Sequence, residues 1–361
     1  MTRASQWTPT WVVNPGEILV EALEERGMTQ VELGRRMDRP LKTISEIATG
    51  KAAITPETAI QLERALGISA ALWLGLESRY REALARRRDR EELEGHVQWL
   101  RRFPLKELAT RRIVDRRASE PDQASALLAY FGVSNPSGWE QFWGEAAASY
   151  RMSETIEVSR YAVALWLREA EREVEDIALD PYDAVRLRTI VPEVRALTTA
   201  VVLAGAIDEA REILASAGVG LLLAKSVRGA PASGAVRWVR SNPWILLTLR
   251  HRTDDHLWFS LFHEIGHLLE GGRRRNLVEE LPDDGVDRAD EAAANAFARE
   301  ALLPQFNASD LLRGNLDRHA IREVAAEYGV SPGIVVGRLE RDQKVHPGRF
   351  RDLKRKVEAS S

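Results

Sequence analysis

The chain has 361 residues, enough for about two or three domains. Hydrophobic residues make up 44% and charged residues 29%, a globular composition that excludes a chain too polar to bury a core. A net charge of −3 excludes nucleic-acid binding through overall charge, so any DNA contact needs a local patch, and the absence of cysteine excludes disulfides and thiolate metal sites.

The opening, MTRASQWTPTWVVNPGE, has no apolar core of signal-peptide length, and the apolar runs at 200–207 and 219–224 are too short to span a bilayer. A cytoplasmic protein with no membrane partner is expected.

Residues 14–85 have a helical pattern broken at Gly27, Pro40, Gly50 and Pro56. Thr29 can cap a helix beginning at Gln30, with Glu32 at its third position. VELGRRM is that short helix. A break at Asp38-Arg39-Pro40 follows, then LKTISEIATG, ending at Gly50. ITPETAIQLERALG is the next helix, with Thr55 as cap and Pro56 at its first position. Two short helices with a tight connection are the helix-turn-helix pattern.

Residues 86–117 carry eleven basic and six acidic side chains and suit a solvated helical linker better than a nucleic-acid arm. Residues 120–215 are helical in period, with GVSNPSG at 132–138 as a turn. Their aromatics, Trp139, Phe142, Trp143, Tyr150, Tyr161 and Trp166, are expected to pack as core. Strand signals come after 218, in VGLLLAK, AVRWVR and WILLTLR, with Asn242-Pro243 as a turn between the last two.

A helix from about Asp254 to Glu270 follows, with Thr253 as cap and Asp254 and Asp255 in its first turn. It carries FHEIGHLL. Positions four apart share a helix face, so His263 and His267 can present imidazoles to one ion. Glu264 lies about 100° around and suits a general base acting on a water at that ion. The helix is otherwise apolar, and three polar groups on a buried helix are costly unless a metal uses them.

A catalytic zinc site needs three protein ligands. The next helix, DRADEAAANAFAREALLP, ends at Pro304 and carries Glu291 and, four residues on, Asn295. Glu291 is the candidate third ligand and Asn295 a group that orients a ligand by hydrogen bonding. The competing readings are Glu300 as ligand, or Glu291 as an ordinary first-turn glutamate. His251, Arg252 and His256 are nearby candidates for stabilising an oxyanion, and read more simply as surface or helix-start residues. AIREVAAEYGVSPGIVVGRLERD at 320–342 has helix-turn-helix rhythm but reads as packing.

Two resemblances sharpen these expectations. FHEIGHLL followed by E-x-x-x-N-x-F-A-x-x-x-L-L-P resembles the ImmA/IrrE metallopeptidases over about residues 215–345. It implies that His263, His267 and Glu291 bind Zn²⁺, with Mn²⁺ also compatible, and that Glu264 activates water for peptide hydrolysis. A second acidic residue common in that family falls here on Ala293. NPGEIL, KTISEI, ITPE and ALGIS…LWLGL resemble the XRE class and its HigA-type antitoxins over about residues 14–80.

That second resemblance implies a recognition helix with Lys42, Thr43, Ser45 and Glu46 on its exposed face. Gln30 and Lys51 would then meet phosphate or the groove edge. Residues 29–51 have five basic and three acidic side chains, so a homodimer on a two-fold operator is expected to offset weak single-domain binding.

The fold expected is mainly α with a small β-sheet (α+β). Its parts are a helix-turn-helix domain at 1–85, a helical middle region at 86–214, a zincin-like domain at 215–345 and a tail at 346–361. The function expected is a regulator that binds double-stranded DNA and cleaves a repressor, an antitoxin or itself, with a toxin as a further partner. The alternative is a HigA-like antitoxin whose metal-site domain is not catalytic.

Overall fold

A computed structural model describes residues 13–148, 159–230, 233–248, 253–270, 284–313 and 316–357. Mainly helical with one small sheet, the chain divides into two compact units, 1–98 with 119–125, and 99–118 with 126–361.

The first unit is all helix: α1 (Pro15–Glu25), α2 (Gln30–Arg36), α3 (Leu41–Ala48), α4 (Pro56–Leu66) and α5 (Ala70–Glu94). Its caps follow local chemistry. Thr29 accepts from the Glu32 amide and Thr55 from the Thr58 amide, while Pro56 fills the first position of α4. Pro40 precedes α3 without a side-chain cap. The turn between α2 and α3 puts Asp38 at φ +52°. Gly34 lets the Arg39 carbonyl close in, since a β-carbon there would lie 2.9 Å from that oxygen. Leu33, Ile44, Ile47, Leu62 and Trp73 are buried in one core, each contributing about 1.5–3 kcal/mol. Helix α5 continues past residue 85, so no break separates the expected domain from the Arg-rich stretch.

That stretch has two characters. Arg86 and Arg87 are exposed and pair with Glu82 and Glu91 along α5, as a solvated face should. From Trp99 onward it packs into the second unit, where Trp99, Leu100, Phe103 and Leu108 are buried. Arg111 there is mostly buried and paired to Glu107 and Glu169.

The aromatic cluster of the second unit is core, as expected for Trp139, Trp143, Tyr161 and Trp166. Trp139 stacks on Tyr161 at 4.9 Å, and Trp143 donates its indole N–H to the Phe131 carbonyl at 3.0 Å. Phe142 departs from the expectation and is exposed; Tyr150 lies outside the described residues.

The sheet has the order β1–β3–β2, with β1 Gly220–Leu223, β2 Gly234–Val239 and β3 Asn242–Leu247. β1 runs parallel to β3 and β2 antiparallel to it. The central strand β3 is buried from Pro243 to Leu247, which explains its unbroken apolar run. Gly220 sits opposite Trp244 and leaves room for the indole. The hairpin turn falls on Arg240-Ser241, because Val239 pairs with Asn242 and Arg240 has φ +56°. Asn242-Pro243, expected as the turn, instead starts β3. A two-residue link suffices, and Asn242 is spent donating to the Asp180 and Gly218 carbonyls.

A single core joins this sheet to the helices Ala184–Ala196, Leu203–Ala215, Asp254–Leu269, Asp284–Leu302, Arg318–Tyr328 and Pro332–Arg341. Leu187, Val194, Ile207 and Leu214 belong to it, so the core extends upstream of the expected boundary at 215. Phe350, Leu353 and Val357 belong to it as well, so the stretch expected as a tail is core-forming up to Val357. Residues 320–342 pack through Ile321, Ala325, Val335 and Leu339, as expected.

Asp254 and Asp255, which suited a first turn by their charge, are buried. Asp254 accepts from Ser331 Oγ at 2.8 Å and from the Arg355 amide and Nε, both at 2.9 Å. Asp255 accepts from Lys354 Nζ at 2.7 Å. Gly333 and Gly337, one turn apart, admit the two carboxylates; β-carbons there would lie 2.5 and 2.6 Å from them. The start of the Asp254–Leu269 helix is thus fixed by buried ion pairs. Thr253 holds the cap position without a side-chain hydrogen bond.

Candidate metal centre and nucleic-acid interface

The helix Asp254–Leu269 buries Leu257, Trp258, Leu261, Phe262 and Ile265. That stripe fixes its rotation and sets His263 and His267 on the opposite, partly open face. It crosses the helix Asp284–Leu302 at Gly266. A β-carbon at Gly266 would lie 3.0 Å from Ala294 Cα, so the glycine allows the close backbone approach that brings Glu291 across.

The three expected ligands meet. The Nε2 atoms of His263 and His267 are 3.0 Å apart, and the Glu291 carboxylate oxygens lie 3.4 Å from the first and 3.2 Å from the second. A tetrahedral ion with bonds of about 2.05 Å has ligands about 3.3 Å apart, so this triangle fits one zinc-sized cation. Among the described residues this is the cluster of His and acidic side chains with ligating atoms close enough to share an ion. The donor set, two imidazoles and a carboxylate, suits zinc or manganese.

The electrostatics agree. Hydrogen bonds from His263 and His267 hold the Glu291 carboxyl far below the usual carboxylate range, so it stays a standing negative charge. His267 is raised: burial opposes its charge, but the Glu291 hydrogen bond and the charges of Glu264 and Glu291 outweigh it. Glu264 is buried, and that burial pushes its carboxyl up to about 7 against the pull of the two imidazoles. Gly234 on β2 makes its berth; a β-carbon there would lie 2.5 Å from Glu264 Oε1.

One expectation changes. Asn295 donates to the backbone carbonyl of Glu291 at 2.8 Å, within its own helix, and not to a ligand side chain. His263 Nδ1 is buried without a partner among the described residues. Glu300 is exposed and accepts from the Gln305 amide, away from the cluster. His251 and Arg252 lie outside the described residues. His256 lines a neighbouring cavity. Gly234, Gly266 and Ala294 were missed by sequence reasoning. Only the glycine inside the motif offered a signal, since a helix interior without a β-carbon usually marks a close crossing.

In the first unit, α3 buries Ile44 and Ile47, which turns Lys42 and Ser45 outward, with Thr43 and Glu46 half-buried at the flanks. Lys42 pairs loosely with Glu46 at 3.8 Å. Gln30 begins α2 half-buried, and Lys51 is exposed just past α3. Leu41 and Val31 are exposed apolar side chains on the same pair of helices, unremarked in the sequence.

The first unit is therefore a helix-turn-helix domain, and the second a mixed α/β unit with a His-His-Glu cluster. A helix-turn-helix family model matches residues 19–73, and an IrrE N-terminal-like domain model matches residues 226–340, which include the whole cluster. The chain is 42% identical over 64 residues to YddM, an uncharacterized HTH-type transcriptional regulator of Escherichia coli (strain K12), covering 18% of this chain and 68% of that one. It is 40% identical over 69 residues to virulence-associated protein A of Dichelobacter nodosus, covering 19% and 68%. A solved structure of Pseudomonas aeruginosa antitoxin HigA with the higBA promoter is similar at 30% identity and a TM-score of 0.22, over 24% of this chain and 94% of that one. The chain belongs to the XRE-type helix-turn-helix family and carries an IrrE-like domain downstream. No helix among the described residues is long and apolar enough to cross a membrane.

Proposed function

We propose that this chain is a DNA-binding regulator whose second unit is a metal-dependent endopeptidase acting on a regulatory protein or on the chain itself. The observation that carries the reading is the triangle of His263, His267 and Glu291 with buried Glu264 beside it. A divalent cation bound there would supply Lewis acidity toward a peptide carbonyl and toward water.

The chain's own residues do the rest. His263 and His267 hold the ion from adjacent turns of one helix, and Glu291 adds the negative charge that favours a cation over an empty cluster. Glu264 takes the proton of the attacking water and returns it to the leaving amine. Buried beside the three ligands, one carboxylate can do both. On the DNA side, α3 is the recognition helix, with Lys42, Thr43, Ser45 and Glu46 toward the major groove and Gln30 and Lys51 toward phosphate. A homodimer on a two-fold operator is part of the same reading.

The test is a comparison of zinc-loaded wild type with Glu264→Gln on a proteome-derived peptide library and on the chain itself, with new termini read by mass spectrometry. Cleavage by wild type alone supports the endopeptidase. No cleavage by wild type, or equal cleavage by both, sinks it. Retained selection of duplexes from a random pool would then leave the antitoxin-like reading, in which DNA and toxin binding are the function.

A further inference from the structure

A cavity of about 180 Å³ opens beside the first turns of the Asp254–Leu269 helix. It lies one turn from the metal ligands, since Phe259 in its wall faces the His263 ring at 6.3 Å between centroids. Phe259, Leu302, Leu303 and Ile334 make its apolar lining, and Arg299 and Arg341 stand at it with two acidic neighbours, Asp255 and Glu340.

Both acids share one lysine, and the second Asp255 oxygen is buried with no hydrogen-bond partner among the described residues. Lys354 Nζ lies 2.7 Å from Asp255 and 2.6 Å from Glu340. Arg338, also in the wall, is paired with Asp342 at 2.7 Å. The side chains of Arg299 and Arg341 have no ion pair or hydrogen bond among the described residues. The guanidinium carbon of Arg341 sits over the Phe259 ring, 3.4 Å from its centroid. A guanidinium held over an aromatic ring by its charge still has N–H donors to offer an anion. Its proton affinity is lowered, first by partial burial and next by the like charge of Arg299, against the pull of Asp255 and Asp342. Two partly solvent-exposed cations with no side-chain ion pair among the described residues thus border an apolar hollow.

The hollow also sets a size. An apolar cavity of about 150 Å³ holds benzene, so one of about 180 Å³ takes a body of that scale with a small head group. We propose that this cavity binds a carboxylate carried on an apolar body no larger than about one benzene ring, with Arg341 and Arg299 gripping the carboxylate. The proposal stands whether or not the neighbouring centre cleaves peptides. The carboxylate has two possible sources, an acidic side chain of a bound peptide or a free organic acid.

Benzoate titrated calorimetrically into the full chain tests it, with benzamide and inorganic phosphate as controls. Benzoate should bind, and each control at least about tenfold more weakly, because the first lacks the charge and the second the apolar body. Arg341→Gln and Arg299→Gln should each weaken benzoate about tenfold while zinc uptake stays unchanged, and Arg341→Lys should fall between wild type and Arg341→Gln. The second arginine variant keeps the test open should the first misfold. Benzoate binding no better than benzamide or phosphate, or both glutamine variants binding as wild type does, overturns the proposal. Competition then names the source: displacement by acetyl-Ala-Glu-Ala-amide but not its Gln analogue assigns a peptide side chain, and benzoate retained against excess peptide assigns a free organic acid.

Discussion

Replacing Glu264 with glutamine should make the metal-free protein more stable while removing its proposed chemistry. Glu264 is 6% exposed, and burial raises its carboxyl from 4.5 to about 7. At about 1.4 kcal/mol per tenfold change in proton affinity, that gap amounts to about 3 kcal/mol. The sign follows from which state ionises first. Below pH 4.5 the carboxyl is protonated in both states and costs nothing. As pH rises the unfolded chain ionises, while the folded chain resists until about 7, so folded wild type loses about 3 kcal/mol over that window. Glutamine does not ionise and is spared this loss. Urea unfolding of chelator-treated protein, following the second unit, should therefore show Glu264→Gln ahead by about 3 kcal/mol at pH 8 and by under about 1 kcal/mol at pH 5. A variant no more stable than wild type at pH 8, or equally favoured at both pH values, would refute the assigned burial cost. Zinc should narrow the difference at pH 8, because a neighbouring cation favours the ionised carboxylate.

Other outcomes follow from the same geometry. Gly266→Val should push Ala294 away and weaken zinc binding at least about tenfold, read by competition with a chromophoric chelator, while Glu264→Gln keeps its zinc. Chelation should lower the Tm of the second unit in wild type and leave His267→Ala unmoved, since a ligand stabilises only the state that binds it. Lys354→Met should cost about 3–5 kcal/mol in denaturant unfolding, because it strands Asp255 and Glu340 in a protein interior. Lys42→Ala should weaken binding to a selected duplex and reduce the salt dependence of log affinity by about one ion, measured by fluorescence anisotropy across a salt series.

Much of this was legible because the determinants are local. Thr29, Thr55 and Pro56 announce helix starts, and the four-residue spacing of His263 and His267 fixes a shared face without any tertiary knowledge. Glu291 was legible only as a candidate, because its meeting with the imidazoles depends on a crossing that Gly266 and Ala294 permit. The misread features, Asn295 apart, are those decided by distant chain. Asn295 looked available to a ligand but its amide is taken by the carbonyl one turn back. Asp254 and Asp255 read as first-turn dipole residues, while their partners lie about a hundred positions away at Lys354 and Arg355. The hairpin shifted because Asn242 serves two carbonyls that local pattern cannot reveal.

The pairing of Asp254 with Arg355 spans 101 positions and has a consequence in time. A ribosome adding about 5–20 residues each second makes the imidazole-bearing helix roughly 5–20 s before the cation that neutralises its first residue. During that interval the nascent helix has its histidines but lacks its anchor, while the upstream helix-turn-helix is already synthesised. A newborn chain thus completes its helix-turn-helix before its histidine-bearing helix is anchored.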